Sequence, residues 1–107
     1  MGRSAGARVA TLIADAAGAR GVVALGYPFE NPKEGPNPDR YRHLASLGSR
    51  LLVIQGAHDE YGGRGAVENY SLSATGRLEL VDTDHSMTMD ESSWRNVRKQ
   101  IVDFLAE

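Results

Sequence analysis

Residues 21–26 read Gly-Val-Val-Ala-Leu-Gly, a short and uninterrupted apolar run between two glycines. Such a run, without polar alternation, is typical of a strand buried on both faces, as in a parallel sheet. Residues 50–55, Arg-Leu-Leu-Val-Ile-Gln, show the same pattern and end at Gly56. Residues 77–81 are interpreted as a further strand. The sequence therefore predicts a short parallel sheet of about three strands.

Helical segments alternate with these strands. Residues 8–17 and 91–106 carry apolar side chains at the three- and four-residue spacing of a helix. Residues 38–47 are predicted to form a shorter helix, and residues 62–73 a weak one that glycine interrupts. The apolar face of the first helix consists of Val9, Leu12, Ile13 and Ala16, and that of the last consists of Trp94, Val97, Ile101, Phe104 and Leu105.

The order of elements decides the fold class. Strands that alternate with helices indicate right-handed crossovers and a parallel sheet covered on both faces, a three-layer α/β/α arrangement. Residues 27–38 contain all four prolines, so we expect no regular structure there. The chain of 107 residues shows no repeat or linker, which predicts a single α/β domain over residues 1–107.

Composition excludes several classes of function. Apolar residues at 41% and charged residues at 24% are typical of a globular domain, and a net charge of −2 argues against a nucleic-acid binder. The sequence has no cysteine, which excludes disulfides, thiolate metal sites and a cysteine nucleophile. We find no apolar run long enough to span a membrane and no signal-peptide pattern, so we expect a cytoplasmic protein without a membrane partner.

Residues 2–6, Gly-Arg-Ser-Ala-Gly, match the pattern G-x-S-x-G directly before a predicted helix. This pattern forms the nucleophile elbow, a sharp turn from strand to helix that exposes a serine hydroxyl. We expect glycine at both flanks because a side chain there would collide with the neighbouring strand and helix. The alternative is a helix of small residues for which Ser4 is an ordinary N-cap.

A serine nucleophile needs a base, and the base needs a carboxylate to orient it. Asp59 follows the strand of residues 50–55, and His85 follows the strand of residues 77–81. Carboxyl ends of parallel strands share one edge of the sheet, where α/β proteins build their sites. The order Ser, Asp, His is that of the nucleophile-elbow enzymes.

Other assignments stay open at this point. The carboxylate could be Glu60, or Asp82 or Asp84 could pair locally with His85. His43 is interpreted as a surface residue and His58 as a loop residue. A metal site formed by the histidines and aspartates lacks strong ligand spacing. Arg3 could contact an anionic substrate or simply be solvated.

Five segments together resemble a known family. They are residues 2–10 around Ser4, Leu-Gly-Tyr-Pro-Phe at 25–29, Arg-His-Leu at 42–44, Leu-Val-Ile-Gln-Gly-Ala-His-Asp-Glu-Tyr-Gly at 52–62, and Asp-His-Ser-Met at 84–87. Their order and spacing resemble the α/β-hydrolase superfamily, and within it the small dienelactone-hydrolase-like branch that includes testis-expressed protein 30. The resemblance extends over essentially the whole chain.

The resemblance implies a serine hydrolase that acts on a small ester or acyl substrate and needs no cofactor or metal. It assigns Ser4 as the nucleophile, Asp59 as the acid, His85 as the base and the N–H of Ala5 as an oxyanion donor. We expect Tyr27 and Phe29, in the proline-rich loop, to line the substrate pocket.

The resemblance also implies that the chain corresponds to the carboxyl-terminal half of a hydrolase domain. We then expect no nucleophile strand before Gly2, a mobile Ser4 and an impaired activity. Residues 21–26 would form an open sheet edge through which the chain self-associates. The first helix would lose part of the sheet that it covers, which would expose Val9, Leu12 or Ile13. A non-catalytic hydrolase-like module that binds a partner is the alternative function.

Overall fold

The computed structural model describes residues 1–64 and 70–107. Its strands are β1 (Gly2–Arg3), β2 (Gly21–Leu25), β3 (Glu30–Asn31), β4 (Gly35–Pro36), β5 (Arg50–Gly56) and β6 (Gly76–Val81). Helix α1 (Ala5–Ile13) lies between β1 and β2, and helix α2 (Glu91–Ala106) follows β6. Strands β1, β2, β5 and β6 form one parallel sheet in the order β1-β2-β5-β6. The α/β fold class predicted from the sequence is confirmed.

The sheet contains one strand more than the three that were predicted. Strand β1 pairs with the end of β2, with Gly2 opposite Ala24 and Arg3 opposite Leu25. A strand of two residues, one of them glycine, has no apolar run by which it could be recognised. We expected no nucleophile strand before Gly2, and the strand that leads to Ser4 consists of Gly2 and Arg3 themselves. Among the described residues, only the start of β2 lacks a strand on that side.

Buried side chains of the central strands alternate between two apolar clusters. Leu51 and Val53 of β5 lie in the cluster beneath α1, whereas Leu52 and Ile54 lie in the cluster beneath α2. This alternation follows from the pleat of the strand, which directs successive side chains to opposite faces. The sheet is thus covered on both faces, in the three layers that the order of elements predicts.

Helix α1 turns a different face to the sheet from the one predicted. Its buried residues are Ala7 and Thr11, followed by Ala14 just beyond its end. Val9, Leu12 and Ile13, which form the apolar face predicted from the periodicity, are more than half exposed, so their expected exposure is confirmed. Only small side chains fit because the helix backbone lies directly against β1, where a Cβ on Gly2 would come within 2.6 Å of Ala7 Cα. The apolar periodicity of this helix therefore marks its outer face.

Helix α2 agrees with its prediction. The Asp90 carboxylate caps its first turn by accepting the Ser93 N–H at 2.8 Å. Val97 and Phe104 are buried against the sheet, with Trp94 and Ile101 partly buried beside them. Leu105, which we predicted on the same face, is 60% exposed.

The segment between β2 and β5 is more regular than its prolines indicate. Strands β3 and β4 form a two-stranded antiparallel ribbon. The helix predicted over residues 38–47 is present as two 3-10 helices, Pro38–Arg40 and Arg42–Ser46. The helix predicted over residues 62–73 falls partly on residues 65–69, outside the described residues, and residues 70–73 are not helical.

Candidate active site

Three loops meet at the carboxyl edge of the parallel sheet. The first is the turn at Ser4 after β1, the second carries Asp59 after β5, and the third carries His85 after β6. Their strands run in the same direction, so each of these residues leaves the sheet on the same side. The sequence placed the three candidates at this edge, and the structure brings their side chains into contact.

Ser4 occupies a strained turn between β1 and α1. Its backbone angles are φ 52° and ψ −124°, a region that L-residues rarely adopt and that typically costs about 1–3 kcal/mol. The N–H of Ser4 donates to Leu25 O at 3.1 Å, which keeps the turn against the end of β2. The hydroxyl makes no capping hydrogen bond to α1, so Ser4 is not an ordinary N-cap. The mobility of Ser4 stays a prediction.

The two glycines that flank Ser4 have different roles. A Cβ on Gly2 would lie 2.4 Å from Gly6 O, so only glycine allows α1 to fold back on β1 this closely. A Cβ on Gly6 would have no atom within 4 Å. The expectation that a side chain would collide at both positions is correct for Gly2 and wrong for Gly6.

A chain of two hydrogen bonds links the three candidate residues. Ser4 Oγ lies 2.8 Å from His85 Nε2, and His85 Nδ1 lies 2.8 Å from Asp59 Oδ2. An ionised carboxylate only accepts, so the neutral imidazole donates its Nδ1–H to Asp59 and leaves Nε2 free to accept the Ser4 hydroxyl proton. This tautomer is the one that general-base chemistry at a serine requires.

Asp59 is held in a buried position. Its side chain is fully inaccessible, whereas the His85 side chain is 18% exposed. Asp59 Oδ1 accepts the N–H of Tyr61 at 2.7 Å, and Oδ2 accepts both His85 and the amide of Gln55, the latter at 3.1 Å. Three donors thus compensate for the removal of the carboxylate from water.

The other carboxylates considered from the sequence have different positions. Asp84 turns back on its own loop and accepts the Ser86 N–H at 3.0 Å. Asp82 pairs with His58 at 2.8 Å on the surface, where both side chains are more than two-thirds exposed. Glu60 is exposed. Within residues 1–64 and 70–107, none of these three carboxylates forms a hydrogen bond with the His85 ring.

His43 lies outside the site and is less exposed than we predicted. Its Nε2 lies 2.8 Å from Thr11 Oγ1, under α1. Burial, with a smaller contribution from the charge of Arg8, lowers the pKa of His43. The imidazole is therefore held neutral as a packing residue between α1 and the 3-10 segment.

Tyr27 and Phe29, the predicted pocket residues, are fully buried. The Tyr27 hydroxyl donates to Arg40 O, and Phe29 stacks on Tyr70 with ring centroids 4.4 Å apart. Both rings belong to the apolar cluster beneath α1, whose members leave them no access to solvent. Substrate binding by Tyr27 and Phe29 stays a prediction, and in this structure neither ring reaches the surface.

Sequence reasoning missed three residues that shape the site. The Tyr61 ring lies over His85 with centroids 4.4 Å apart, and Gln55 is fully buried beside Asp59. Gly56 allows the loops of Asp59 and His85 to approach, since a Cβ there would lie 2.5 Å from Thr83 O. One signal was available: Gln55 is a polar residue at the end of an otherwise apolar strand.

Two further candidates lie at the entrance to the site. Arg3 extends from β1 and donates to Ser86 O in the histidine loop. Ala5 is the first residue of α1, so its N–H has no acceptor within the helix and points outward from the helix N-terminus. In residues 1–64 and 70–107 no cluster of three or more histidine and acidic side chains is arranged to hold a metal ion.

Fold and site together define the class of protein. A parallel sheet, a strained serine between strand and helix, and an acid and a histidine that follow two later strands, here β5 and β6, are the features of an α/β hydrolase. The sequence profile of the alpha/beta hydrolase domain family matches residues 1–107, and the chain belongs to this family. No curated protein matches the chain. Membership indicates a hydrolase-type function.

No helix within the described residues is long and apolar enough to cross a membrane.

Proposed function

We propose that this chain is a serine hydrolase that cleaves esters or related acyl compounds. The observation that carries the proposal is the pair of 2.8 Å contacts from Ser4 Oγ to His85 Nε2 and from His85 Nδ1 to Asp59 Oδ2. If Ser4 were an ordinary N-cap and His85 a core residue with other hydrogen-bond partners, these two successive contacts would not be expected. The strained backbone of Ser4 adds support, because such strain is concentrated at functional sites.

In the proposed reaction Ser4 Oγ attacks the acyl carbon while its proton passes to His85 Nε2. Asp59 stabilises the imidazolium that forms and keeps the ring in its orientation. His85 then donates the proton to the leaving alcohol as the tetrahedral intermediate collapses to an acyl-enzyme. Water then attacks the acyl carbon while His85 Nε2 takes its proton, and His85 returns that proton to Ser4 Oγ as the bond to the acyl group breaks and the acid leaves.

The N–H of Ala5 is the proposed oxyanion donor. It follows the nucleophile directly and opens helix α1, whose N-terminal end carries a partial positive charge. Both features favour an oxygen that becomes negative beside Ser4. One such donor typically contributes about 10²–10³-fold to the rate.

A fluorophosphonate probe tests the proposal without knowledge of the substrate. Such a probe loses fluoride as a serine Oγ–P bond forms, and it needs the same base. We expect one adduct per chain by intact mass, located at Ser4 by peptide mapping. Ser4→Ala should abolish the adduct.

Ser46→Ala is the matched control, since Ser46 is an exposed serine in a 3-10 helix and makes no contact with the site. This variant should be labelled like the parent chain. A parent chain that forms no adduct at Ser4 would contradict the proposal.

The second candidate function is a non-catalytic module that binds a partner. The exposure of Val9, Leu12 and Ile13 on the outer face of α1 favours it, because clustered exposed apolar side chains often mark interaction surfaces. The same probe separates the two functions, since an inactive scaffold serine is not labelled.

A further inference from the structure

Gln55 is the last side chain of β5 before Gly56, and it is fully buried. A buried amide is retained at low cost only when its polar atoms find partners. Here Oε1 accepts the Tyr27 N–H at 2.8 Å. The two N–H groups of Nε2 face three acceptors, Gly62 O at 2.7 Å, Tyr27 O at 3.0 Å and Asp59 Oδ2 at 3.1 Å, so one N–H is shared between two of them. Those partners come from two different loops.

The first of these loops follows β2. Gly26 N donates to Ile54 O at 2.9 Å, and the preceding carbonyl, that of Leu25, accepts the Ser4 N–H. Gln55 binds both backbone polar atoms of Tyr27, two residues beyond Leu25. It therefore fixes the chain segment on which the Ser4 turn rests.

The second loop carries the acid. Gln55 Nε2 contacts both the Asp59 carboxylate and the carbonyl of Gly62, so it binds this loop at two points. Asp59 Oδ2 is the oxygen that also accepts His85 Nδ1–H. The amide dipole thus stabilises the negative charge of the oxygen that orients the base.

We propose that Gln55 is a positioning residue of this site, which holds the Asp59 carboxylate against His85 and ties the Asp59 loop to the segment beside Ser4. The inference rests on the proposed function and deepens it. Gln55 does not touch the reacting atoms, and it acts through Asp59. Its replacement should reduce reactivity more than it reduces binding of the reagent.

Gln55→Met provides the first test, because methionine keeps the length of the side chain and removes its polar atoms. We expect the maximal rate of Ser4 phosphonylation by the fluorophosphonate probe to fall about 10–100-fold, as removal of one buried hydrogen bond to a charged group predicts. The concentration of probe that gives half of this rate should stay within about two-fold, since Gln55 lies beneath the site.

A spectroscopic measurement separates positioning from a merely structural role. In the folded parent chain the His85 Nδ1 proton should give a strongly deshielded NMR resonance, because it lies in a hydrogen bond to a buried carboxylate. We expect Gln55→Met to shift or broaden this resonance. Ser49→Ala is the control, because Ser49 is also buried and hydrogen-bonded: its hydroxyl lies 2.8 Å from Ala19 O and from Asp15 Oδ1. Ser49 precedes β5 and therefore lies at the edge of the sheet opposite the site.

Gln55→Glu keeps both volume and the acceptor for Tyr27 N–H, so it tests the inference if Gln55→Met fails to fold. The introduced oxygen faces two carbonyls and Asp59, and these three groups only accept hydrogen bonds. Among the described residues, Asp59 is the ionisable side chain that forms a hydrogen bond with Gln55. The new carboxyl must therefore carry a proton to fit. We expect the rate of phosphonylation of Gln55→Glu, relative to that of the parent chain, to fall as the pH rises and the introduced carboxyl loses its proton.

The outcomes are distinguishable. Absence of a Ser4 adduct in the parent chain contradicts the proposed function, and the Nδ1 resonance then still reports whether Gln55 holds Asp59. A folded Gln55→Met with the rate and resonance of Ser49→Ala, or a Gln55→Glu with the pH profile of the parent chain, would overturn the positioning role.

Discussion

Two aspartates are candidates for the carboxylate that contacts His85, and the one that is nearer in sequence does not make the contact. Asp84 is the sequence neighbour of His85, yet its carboxylate accepts the Ser86 N–H within its own loop. Asp59 is far away in sequence, but β5 and β6 are adjacent strands, so their carboxyl ends bring it to His85 Nδ1. The geometry of parallel strands made this pairing predictable from the sequence.

We predict that Asp59→Asn lowers the rate of Ser4 phosphonylation by about 10⁴-fold. The amide of asparagine presents an N–H to His85, which favours the wrong tautomer and removes the charge that stabilises the imidazolium. Asp84→Asn is the matched control and should react like the parent chain. A loss in Asp84→Asn without a loss in Asp59→Asn would reverse the assignment of the acid.

Gln55 and Tyr61 could not be assigned from the sequence with the same reasoning. Their contributions depend on where a loop backbone passes: Gln55 binds carbonyls of Tyr27 and Gly62, and the Tyr61 N–H meets Asp59. Strand and helix periodicity fixes the direction of a side chain and gives no information on such loop paths. The strand ends were therefore predictable, whereas the contacts that hold the acid were not.

At the scale of elements, the close packing of α1 on β1 explains why its apolar periodicity pointed to the wrong face. Helix packing is decided by the space beneath the helix, and here that space admits Ala7 and Thr11 only. The longer side chains at positions 9, 12 and 13 face outward instead. A pattern of apolar residues identifies a helix reliably, but it does not show which side the sheet occupies when both faces are apolar or small.

The two flanking glycines provide a test of this packing. Gly2→Ala should lower the free energy of unfolding by about 1–3 kcal/mol, because the added Cβ overlaps Gly6 O and forces α1 away from β1. Gly6→Ala should raise it by about 0.5–1 kcal/mol, since its Cβ has open space and alanine favours a helix. Urea-induced unfolding measures both, and equal effects of the two variants would contradict the packing.

Asp15 connects the end of the α1 segment to the start of β5 and should give stability a pH dependence. A hydrogen bond from the Gly48 backbone, followed by those from the Ser49 hydroxyl and backbone, lowers the pKa of Asp15 below its usual 3.8. A carboxylate whose pKa is lower in the folded state stabilises the fold at pH values above its pKa in the unfolded chain. This contribution is lost as the pH falls through its pKa in the folded chain.

We therefore predict that Asp15→Asn lowers the thermal unfolding midpoint at neutral pH, and that the difference from the parent chain shrinks as the pH falls below 3.8. Scanning calorimetry between pH 7 and pH 3 measures this difference. A difference that stays constant with pH would show that the charge of Asp15 makes no contribution. Asp103→Asn, on the exposed part of α2, is the control and should have little effect.

At the scale of the whole molecule, the sequence predicted the class of fold, the two central strands and α2, because each depends on long apolar runs or strong periodicity. It predicted neither β1 nor the β3–β4 ribbon. Both consist of strands of two residues that exist only through pairing with a neighbour. Short elements of this kind carry no local pattern, and tertiary contacts alone determine them.

The molecule leaves one side of its sheet open. Strand β1 covers Ala24 and Leu25, and among the described residues no strand pairs with residues 21–23 on that side of β2. The neighbouring outer face of α1 exposes Val9, Leu12 and Ile13, beside a cleft between α1 and β2 to which Ile13 and Val22 contribute. Free strand edges next to apolar side chains favour pairing with another chain.

We predict that the chain self-associates through this side, with a second copy as the partner. Sedimentation velocity should show a concentration-dependent increase in mean mass at micromolar concentrations. The double variant with Leu12→Lys and Ile13→Lys should remain monomeric over the same range, because two charges on the outer face of α1 oppose burial. Val102→Lys is the matched control: Val102 is 63% exposed on α2, the helix on the opposite face of the sheet from α1, and its replacement should leave association unchanged. A parent chain that sediments as a monomer at all concentrations, or equal effects of the α1 and α2 variants, would contradict this assignment of the surface.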